Sequence, residues 1–330
     1  MIIESKKLVD LTSSDIEEIQ GFLKSNFCTV FHEPEFNRIV STVFGTDFSY
    51  RLVYNSDRKI IALCPLHSVK EGLLSRTYSN PAIYDVRYGG WAYDRKKVSI
   101  AELMAQLRVT VWDSLVYWSV PQVNGDDYTF MTGKRRFETG IIDLSLSVDD
   151  ILHKCISRKR RETIRSAMRK GVIVEKLNHS NLSTFVEQCS YLKESVGLKS
   201  LPSDFFISLF EQYAPHNKIA VFASVLNGEH LATGMVVGNR HMIHLWVAGK
   251  PKTISQNVPR QDLLVMETIK WAKETGSRYY DLCVLESERL PTIARFKLGF
   301  SKQIVPFYCI TGKGFGHRII SRARKVLGAK

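Results

Sequence analysis

The chain has 330 residues, 44% of them apolar and 24% charged, with a formal net charge of +13. That length suits about two domains, each able to bury a core. The longest stretch free of Asp, Glu, Lys and Arg runs only from Ser114 to Gly125, too short for a membrane-spanning helix of about 20 residues.

The opening segment MIIESKKLVD carries Glu4, Lys6 and Lys7, so no signal peptide is expected there. The cysteines Cys28, Cys64, Cys155, Cys189, Cys283 and Cys309 lie far apart, without a CxxC pair. Neither a zinc ribbon nor a thioredoxin-type redox site is written in that spacing. A soluble, cytoplasmic protein with reduced thiols is the expectation. The positive charge is concentrated. Residues 151–170 hold eight Lys/Arg and one acid, and residues 290–330 hold nine Lys/Arg and none. The rest of the chain is slightly acidic. Two such zones attract polyanions: phosphates, nucleic acid or an anionic membrane surface.

In chain order, SSDIEEIQGFLKSN and PEFNRIVSTVFG read as helices. SYRLVY, the turn Asn55-Ser56-Asp57 and KIIALCPLHS read as a hairpin. A long helix is expected from about Ser99 to Val116, followed by RFETGIIDLSL as a late strand. The segment from Ile151 to Lys170 reads as one helix. Lys154, Arg158, Arg161, Arg165 and Arg169 form a cationic stripe on it, and Leu152, Ile156, Thr163 and Ala167 face a core. Neighbouring like charges on such a stripe cost roughly 0.2–0.5 kcal/mol per pair. The arrangement suits either a solvated face or a platform for phosphates, and Glu162 relieves only Arg158 and Arg165.

The second half continues with strand-like VIVEKL. The helix NLSTFVEQCSYLKESVG stops at Gly197, and the helix LPSDFFISLFEQYAP has Pro202 near its start and Pro215 after its end. KIAVFASVL and EHLATGMVVG flank Asn227-Gly228, a strong hairpin signal. HMIHLWVAG is a third strand. NVPRQDLLVMETIKWAKETG is an amphipathic helix with Leu263, Leu264, Ile269, Trp271 and Ala272 toward the core and Gly276 as its cap. RYYDLCV is a strand, LPTIARFKLGF a short helix or turn, and KQIVPFYCIT the last strand. The order of elements repeats, and VYNSDRKIIA rhymes with VLNGEHLATG. The expected architecture is α+β, two tandem halves over 1–148 and 149–330, each a mostly antiparallel sheet flanked by helices.

This order resembles the GNAT acyltransferase fold, and two such halves resemble the Fem-type aminoacyltransferases that extend peptidoglycan cross-bridges. Three stretches carry the resemblance: RKRRETIRSAMRKGV, QNVPRQDLLVMETIKWAKETGSRYYDL and TIARFKLGF. It implies an acyl donor used as substrate, acyl-CoA or aminoacyl-tRNA, and no permanently bound cofactor. The helical-hairpin insertion linked with tRNA engagement is absent, since Gly171 leads directly into VIVEKL; this favours acyl-CoA. The stretch matching the glycine-rich pyrophosphate loop is SQNVPRQDLL, without glycine, and Pro259 removes one backbone donor. A helix N-terminus with Gln256, Asn257, Arg260 and Gln261 beside it remains as a donor site.

The resemblance places the family's Phe-Lys pair at Phe296 and Lys297. A lysine ammonium there suits the oxyanion of acyl transfer, which needs a deprotonated amine and alignment but no enzyme nucleophile. A surface lysine after a core phenylalanine explains the pair equally simply. Asp281, near the end of a strand, suits proton acceptance or acceptor orientation, or merely loop amides; Glu286 and Glu288 are nearby alternatives. Arg158, Arg161, Arg165 and Arg169 are candidates for polyanion binding. No metal site is expected, because His241 and His244 are three apart on a strand and face opposite sides. His67, Cys64 and Cys283 read as core or surface residues, and Tyr88–Trp91 as a cleft lining or a packed glycine turn. In HRIISRARKVLGAK, Ile319, Ile320, Ala323, Val326 and Leu327 share a face, which suits an anionic membrane or packing on the body.

The combined expectation is an N-acyltransferase acting on the amine of a cell-envelope precursor, an amino sugar or peptide, at the inner membrane face. A non-catalytic RNA- or phospholipid-binding protein that kept the fold is the rival.

Overall fold

Strand β1 (Ile2–Lys7) pairs antiparallel with β2 (Asp47–Tyr54), and the helices between them follow their terminal residues. In this computed structural model the described residues are 1–72, 74–81, 86, 88–107, 109–126, 128, 130–253, 258–285 and 288–319. Thr12 and Asp15 form a capping box ahead of α1 (Ser13–Ser25). Pro34 occupies the first turn of α2 (Pro34–Phe44), where its missing N–H costs nothing. The hairpin of β2 with β3 (Ile60–Glu71) forms as expected, and β4 (Leu74–Tyr78) adds to it. The short β5 (Ala92–Tyr93) pairs with β3.

The helix expected from Ser99 to Val116 is a correction. Ser99 and Glu102 do cap a helix, but α3 ends at Met104 (Ile100–Met104), and Asp113–Trp118 is strand β6. Val109, Thr110, Val111 and Trp112 are poor helix formers, and β6 gains a parallel ladder with β4 that no isolated helix could offset. Tyr88–Trp91 is a packed turn. Gly90 has φ of +74°, and a Cβ there would lie 2.6 Å from Tyr117 Oη. Trp91 N–H donates to that same oxygen.

The second half opens with β7 (Lys134–Asp143) and a short α4 (Val148–Asp150). One wide helical turn, Ile151–Cys155, then gives way to extended backbone at Ile156, before α5 (Arg158–Arg169). The basic segment is therefore two pieces, not one helix, and Lys154 leaves the stripe to pair with Asp150 at 2.7 Å. Then come β8 (Ile173–Leu177), α6 (Leu182–Ser195), α7 (Ser203–Tyr213), β9 (Ile219–Leu226) and β10 (Glu229–Gly238). The β9–β10 turn uses Asn227 and Gly228 at φ of +52° and +79°, the twist a two-residue hairpin needs. β11 (Met242–Gly249), α8 (Gln261–Glu274), β12 (Tyr279–Val284), α9 (Pro291–Leu298) and β13 (Gln303–Lys313) follow.

The repeat is plain in the pairing. A hairpin (β2–β3), a third strand (β4), a helix (α3) and a strand parallel to the third (β6) recur as β9–β10, β11, α8 and β12. The fold is α+β, each unit a mixed, mostly antiparallel sheet flanked by helices. The two compact units are Met1–Phe137 with Pro306–Lys330, and Glu138–Val305. The last strand of each half joins the other half's unit: β7 pairs with β12 from Thr139 onward, and β13 pairs with β6 through Cys309–Lys313.

The core of the second unit gathers Ile142, Ile164, Leu264, Ile269, Leu282 and Phe300, with α8 lying on the sheet. Trp271 packs against it half-buried. No helix among the described residues is long and apolar enough to cross a membrane. The six cysteines are present as thiols.

Candidate active site

The site is built in the second unit, around the end of β12. Asp281 is fully buried on that strand, opposite His244 in the parallel pairing with β11. Three donors converge on its carboxylate. His244 Nδ1–H donates to Oδ2 at 2.7 Å, Thr139 Oγ1–H donates to Oδ1, and Cys283 N–H donates to Oδ1 at 3.0 Å. Burial of a carboxylate is costly unless it is hydrogen-bonded, and this one is. Asp281 and His244 are both closed off from solvent, and the carboxylate fixes the orientation of the imidazole.

Lys297 lies in the last turn of α9, and its ammonium donates to Val284 O at 3.0 Å. The lysine is thereby tied to β12 three residues beyond Asp281. Its half-buried neighbour Phe296 faces the Arg160 guanidinium, 4.5 Å from the ring centroid, and packs tilted against Phe300 at 5.2 Å. Gly299 O accepts from Ser157 N–H at 2.8 Å. That bond ties the C-terminal end of α9 to the N-terminal end of α5, so the basic helix stands beside the Phe296–Lys297 pair.

Arg160, outside the expected stripe, is a partly buried cation of α5. It bonds Asp262 Oδ1 at 3.0 Å, with side chains only 18% and 8% exposed. Burial pushes the Asp262 carboxyl above its ordinary value, and the guanidinium pulls it part of the way back. Arg161 is spent on structure: it donates to Ile156 O at 2.6 Å and to His153 O at 3.3 Å, satisfying the carbonyls left by the helical break. Arg158 pairs with Glu162 at 2.8 Å. Arg165 and Arg169 are exposed and form no ion pair among the described residues.

Arg260 and Gln261 stand half-buried at the N-terminal end of α8, whose first turn also holds Asp262. The Asp262 carboxylate already complements the positive end of that helix. Gln256, Asn257 and Glu286 lie outside the described residues.

The structure thus brings Asp281 and Lys297 to one end of β12, and sets Phe296 against α5. It leaves Arg158, Arg165 and Arg169 as a separate exposed face. His244 and Arg160 were missed by sequence reasoning. His244 was weighed only as a partner of His241, and its true partner lies 37 residues away in sequence. A histidine flanked by Ile243 and Leu245 in an apolar strand is the one signal that marked it. One ring nitrogen of His244, one carboxylate oxygen of Asp281 and Cys283 Sγ lie within 4.8 Å of one another.

Residues 158–297 match the family model of the acetyltransferase (GNAT) domain. That stretch runs from the start of α5 to Lys297 and so holds Arg160, His244, Asp281, Phe296 and Lys297, with Thr139 outside it. The structure of FemX aligns at a TM-score of 0.68 with 13% identity, covering 98% of this chain and 99% of that one. The C-terminal domain of a putative lysylphosphatidylglycerol synthetase from Agrobacterium fabrum aligns at 0.54 with 12% identity, covering 96% and 98%. L-PGS from Bacillus licheniformis aligns at 0.50 with 14% identity, covering 93% and 96%. No curated protein matches the sequence. The matched segment, 158–297, is similar to the acetyltransferase (GNAT) domain, and it carries the site described above. Over nearly its full length the chain shares the fold of FemX.

Proposed function

We propose that the protein moves an acyl or aminoacyl group from an activated donor to an amine of a cell-envelope precursor, an amino sugar or a peptide. The observation that carries this reading is the placement of the Lys297 ammonium, 3.0 Å from Val284 O, on the strand that also bears Asp281, the buried partner of His244 on β11. Lys297 stabilises the oxyanion that develops on the acyl carbonyl. The amine proton passes to His244, which Asp281 holds in the tautomer able to accept it at Nε2. Arg260 and Gln261, with Gln256 and Asn257 of the same stretch, bind the donor, and Phe296 lies beside its acyl end. Arg158, Arg165 and Arg169 meet phosphates of the donor or acceptor; Arg161 of the original set is committed to backbone carbonyls.

Acyl-CoA is the favoured donor, because α5 passes through Gly171 directly into β8 and leaves no inserted hairpin. Aminoacyl-tRNA is the second reading, supported by the likeness to FemX and to the structure named for a putative lysylphosphatidylglycerol synthetase. The lipid in the name of the Agrobacterium fabrum protein supports work at a membrane surface. The deciding experiment is a donor screen by mass spectrometry, with an acyl-CoA panel and charged tRNA offered against amino-sugar and peptide amines. An amide product from one donor class alone assigns the donor. Tight donor binding without product from either class refutes the proposal.

A further inference from the structure

The ladder between β12 and β7 is in step from Tyr279 to Asp281 and resumes only where Val284 meets Thr139. Leu282 and Cys283 therefore form a bulge, a device that re-aims a side chain. Cys283 has φ of +59°, a left-handed conformation rare for any residue with a side chain and concentrated at functional sites. Its own N–H, donated to Asp281 Oδ1 at 3.0 Å, holds that conformation. The side chain is buried, and Sγ, His244 and the Asp281 carboxylate share the 4.8 Å cluster described above. The Lys297 ammonium sits on the carbonyl of the next residue, Val284. A thiol, an imidazole and a carboxylate orienting that imidazole are the parts of an activated nucleophile. Separations of this kind are commonly long before a substrate closes them.

We propose that Cys283 carries the acyl group as a thioester, with His244 as its base and Asp281 as the positioning residue. The inference rests on the reading above that the chain uses an activated acyl donor. With acyl-CoA, the Cys283 proton passes to His244 and the thiolate adds to the acyl carbonyl. The bond from that carbon to the CoA sulfur then breaks, and His244 returns the proton to the leaving sulfur. One thioester replaces another, and free CoA departs. The acceptor amine next adds to the Cys283 thioester. Its carbon–sulfur bond breaks, the amide forms, and the amine proton reaches the Cys283 sulfur through His244.

The full chain is incubated with acetyl-CoA, succinyl-CoA or palmitoyl-CoA, without acceptor, and its intact mass is measured before and after hydroxylamine. One acyl group is expected on the peptide holding Cys283, removed by hydroxylamine and absent from Cys283→Gly. Glycine suits a φ of +59°, so that variant keeps the fold. His244→Gln should form the adduct about 100-fold more slowly or worse. Iodoacetamide gives a readout that needs no donor: Cys283 should label well ahead of fully buried Cys64, and His244→Gln should slow it about tenfold. A Cys283→Gly chain that makes amide at the wild-type rate overturns the thioester and leaves acyl transfer standing. So does a Cys283 that resists iodoacetamide as long as Cys64 does. A wild-type chain that acylates no amine from any donor, charged tRNA included, sinks both readings and is told apart by the missing amide.

Discussion

Arg160→Ala tests how the basic helix is fastened to the site. Arg160 bonds Asp262 at 3.0 Å, lies over Phe296 at 4.5 Å, and packs its stem against Gly299, where an added Cβ would meet it at 2.8 Å. Truncation leaves the 8% exposed Asp262 carboxylate without its cation. Breaking a buried pair costs roughly 3–5 kcal/mol; the guanidinium is reached by some water, so the low end, about 3 kcal/mol, is expected. For a folded unit of this size that corresponds to a fall in Tm of roughly 6–12 °C. The loss should depend on pH in a fixed direction. Burial already raises the Asp262 carboxyl, and without Arg160 it titrates higher still. The penalty is fully present above that raised value and shrinks as pH falls through it, because a protonated carboxyl needs no cation. Replacing both partners with apolar residues, Arg160→Met with Asp262→Leu, should bring stability back to within about 1 kcal/mol of wild type. Urea denaturation of the three proteins at pH 5 and pH 8 makes the comparison. An Arg160→Ala protein within 1 kcal/mol of wild type at pH 8, or one equally destabilised at both pH values, refutes the argument.

Lys297→Ala should lower the single-turnover rate by roughly 100–1000-fold while donor affinity by calorimetry is largely kept, since an oxyanion exists only in the transition state. Lys297→Arg should recover only part of it, and Lys302→Ala, an exposed control, should change little; a donor Kd raised at normal rate would make Lys297 a phosphate anchor instead. Arg165→Gln with Arg169→Gln should weaken binding to a polyanion such as tRNA or heparin and flatten its salt dependence by about 0.9 per lost phosphate contact, with the fold intact. Adding Arg161→Gln should also lower Tm, because Arg161 holds Ile156 O. Burial drives the His67 imidazole down to about 3, against about 6.5 unfolded. Its contribution is present above pH 6.5 and is lost as pH falls toward 3, by up to about 1.4 kcal/mol per unit, and His67→Gln should remove that share of the slope in denaturation curves. Liposome flotation on anionic vesicles should be weaker for a truncation after Gly316 than for the full chain; equal flotation counts against a membrane role for the C-terminal segment.

Much of the fold follows from signals that act within one turn of chain. The capping box of Thr12 and Asp15, Pro34 at a helix start and Asn227-Gly228 at a hairpin each satisfy or bend only the backbone beside them. The sequence by itself therefore determined the order of elements, the repeat of that order, the presence of a basic helix and the Phe296–Lys297 pair on a short helix. It failed first at Ser99–Val116. There a well-capped start argued for a long helix, and the decisive term was the pairing of β6 with β4 and β13.

The site's chemistry was decided by tertiary structure. His244 reaches Asp281 across 37 residues, Arg160 reaches Asp262 across 102, and Thr139 reaches Asp281 across 142. Which arginine of RKRR turns inward depends on where the helix restarts. The extended residue Ile156 turns α5 so that Arg160 faces Asp262 and Arg161 faces carbonyls. The exchange of the last strands has the same origin. A strand's ladder partners are fixed by sheet register and by which edge is open, and neither leaves a mark on the strand's own residues. Local hydrogen bonding and hydrophobic spacing specify what an element is, while the long-range register specifies what its side chains meet.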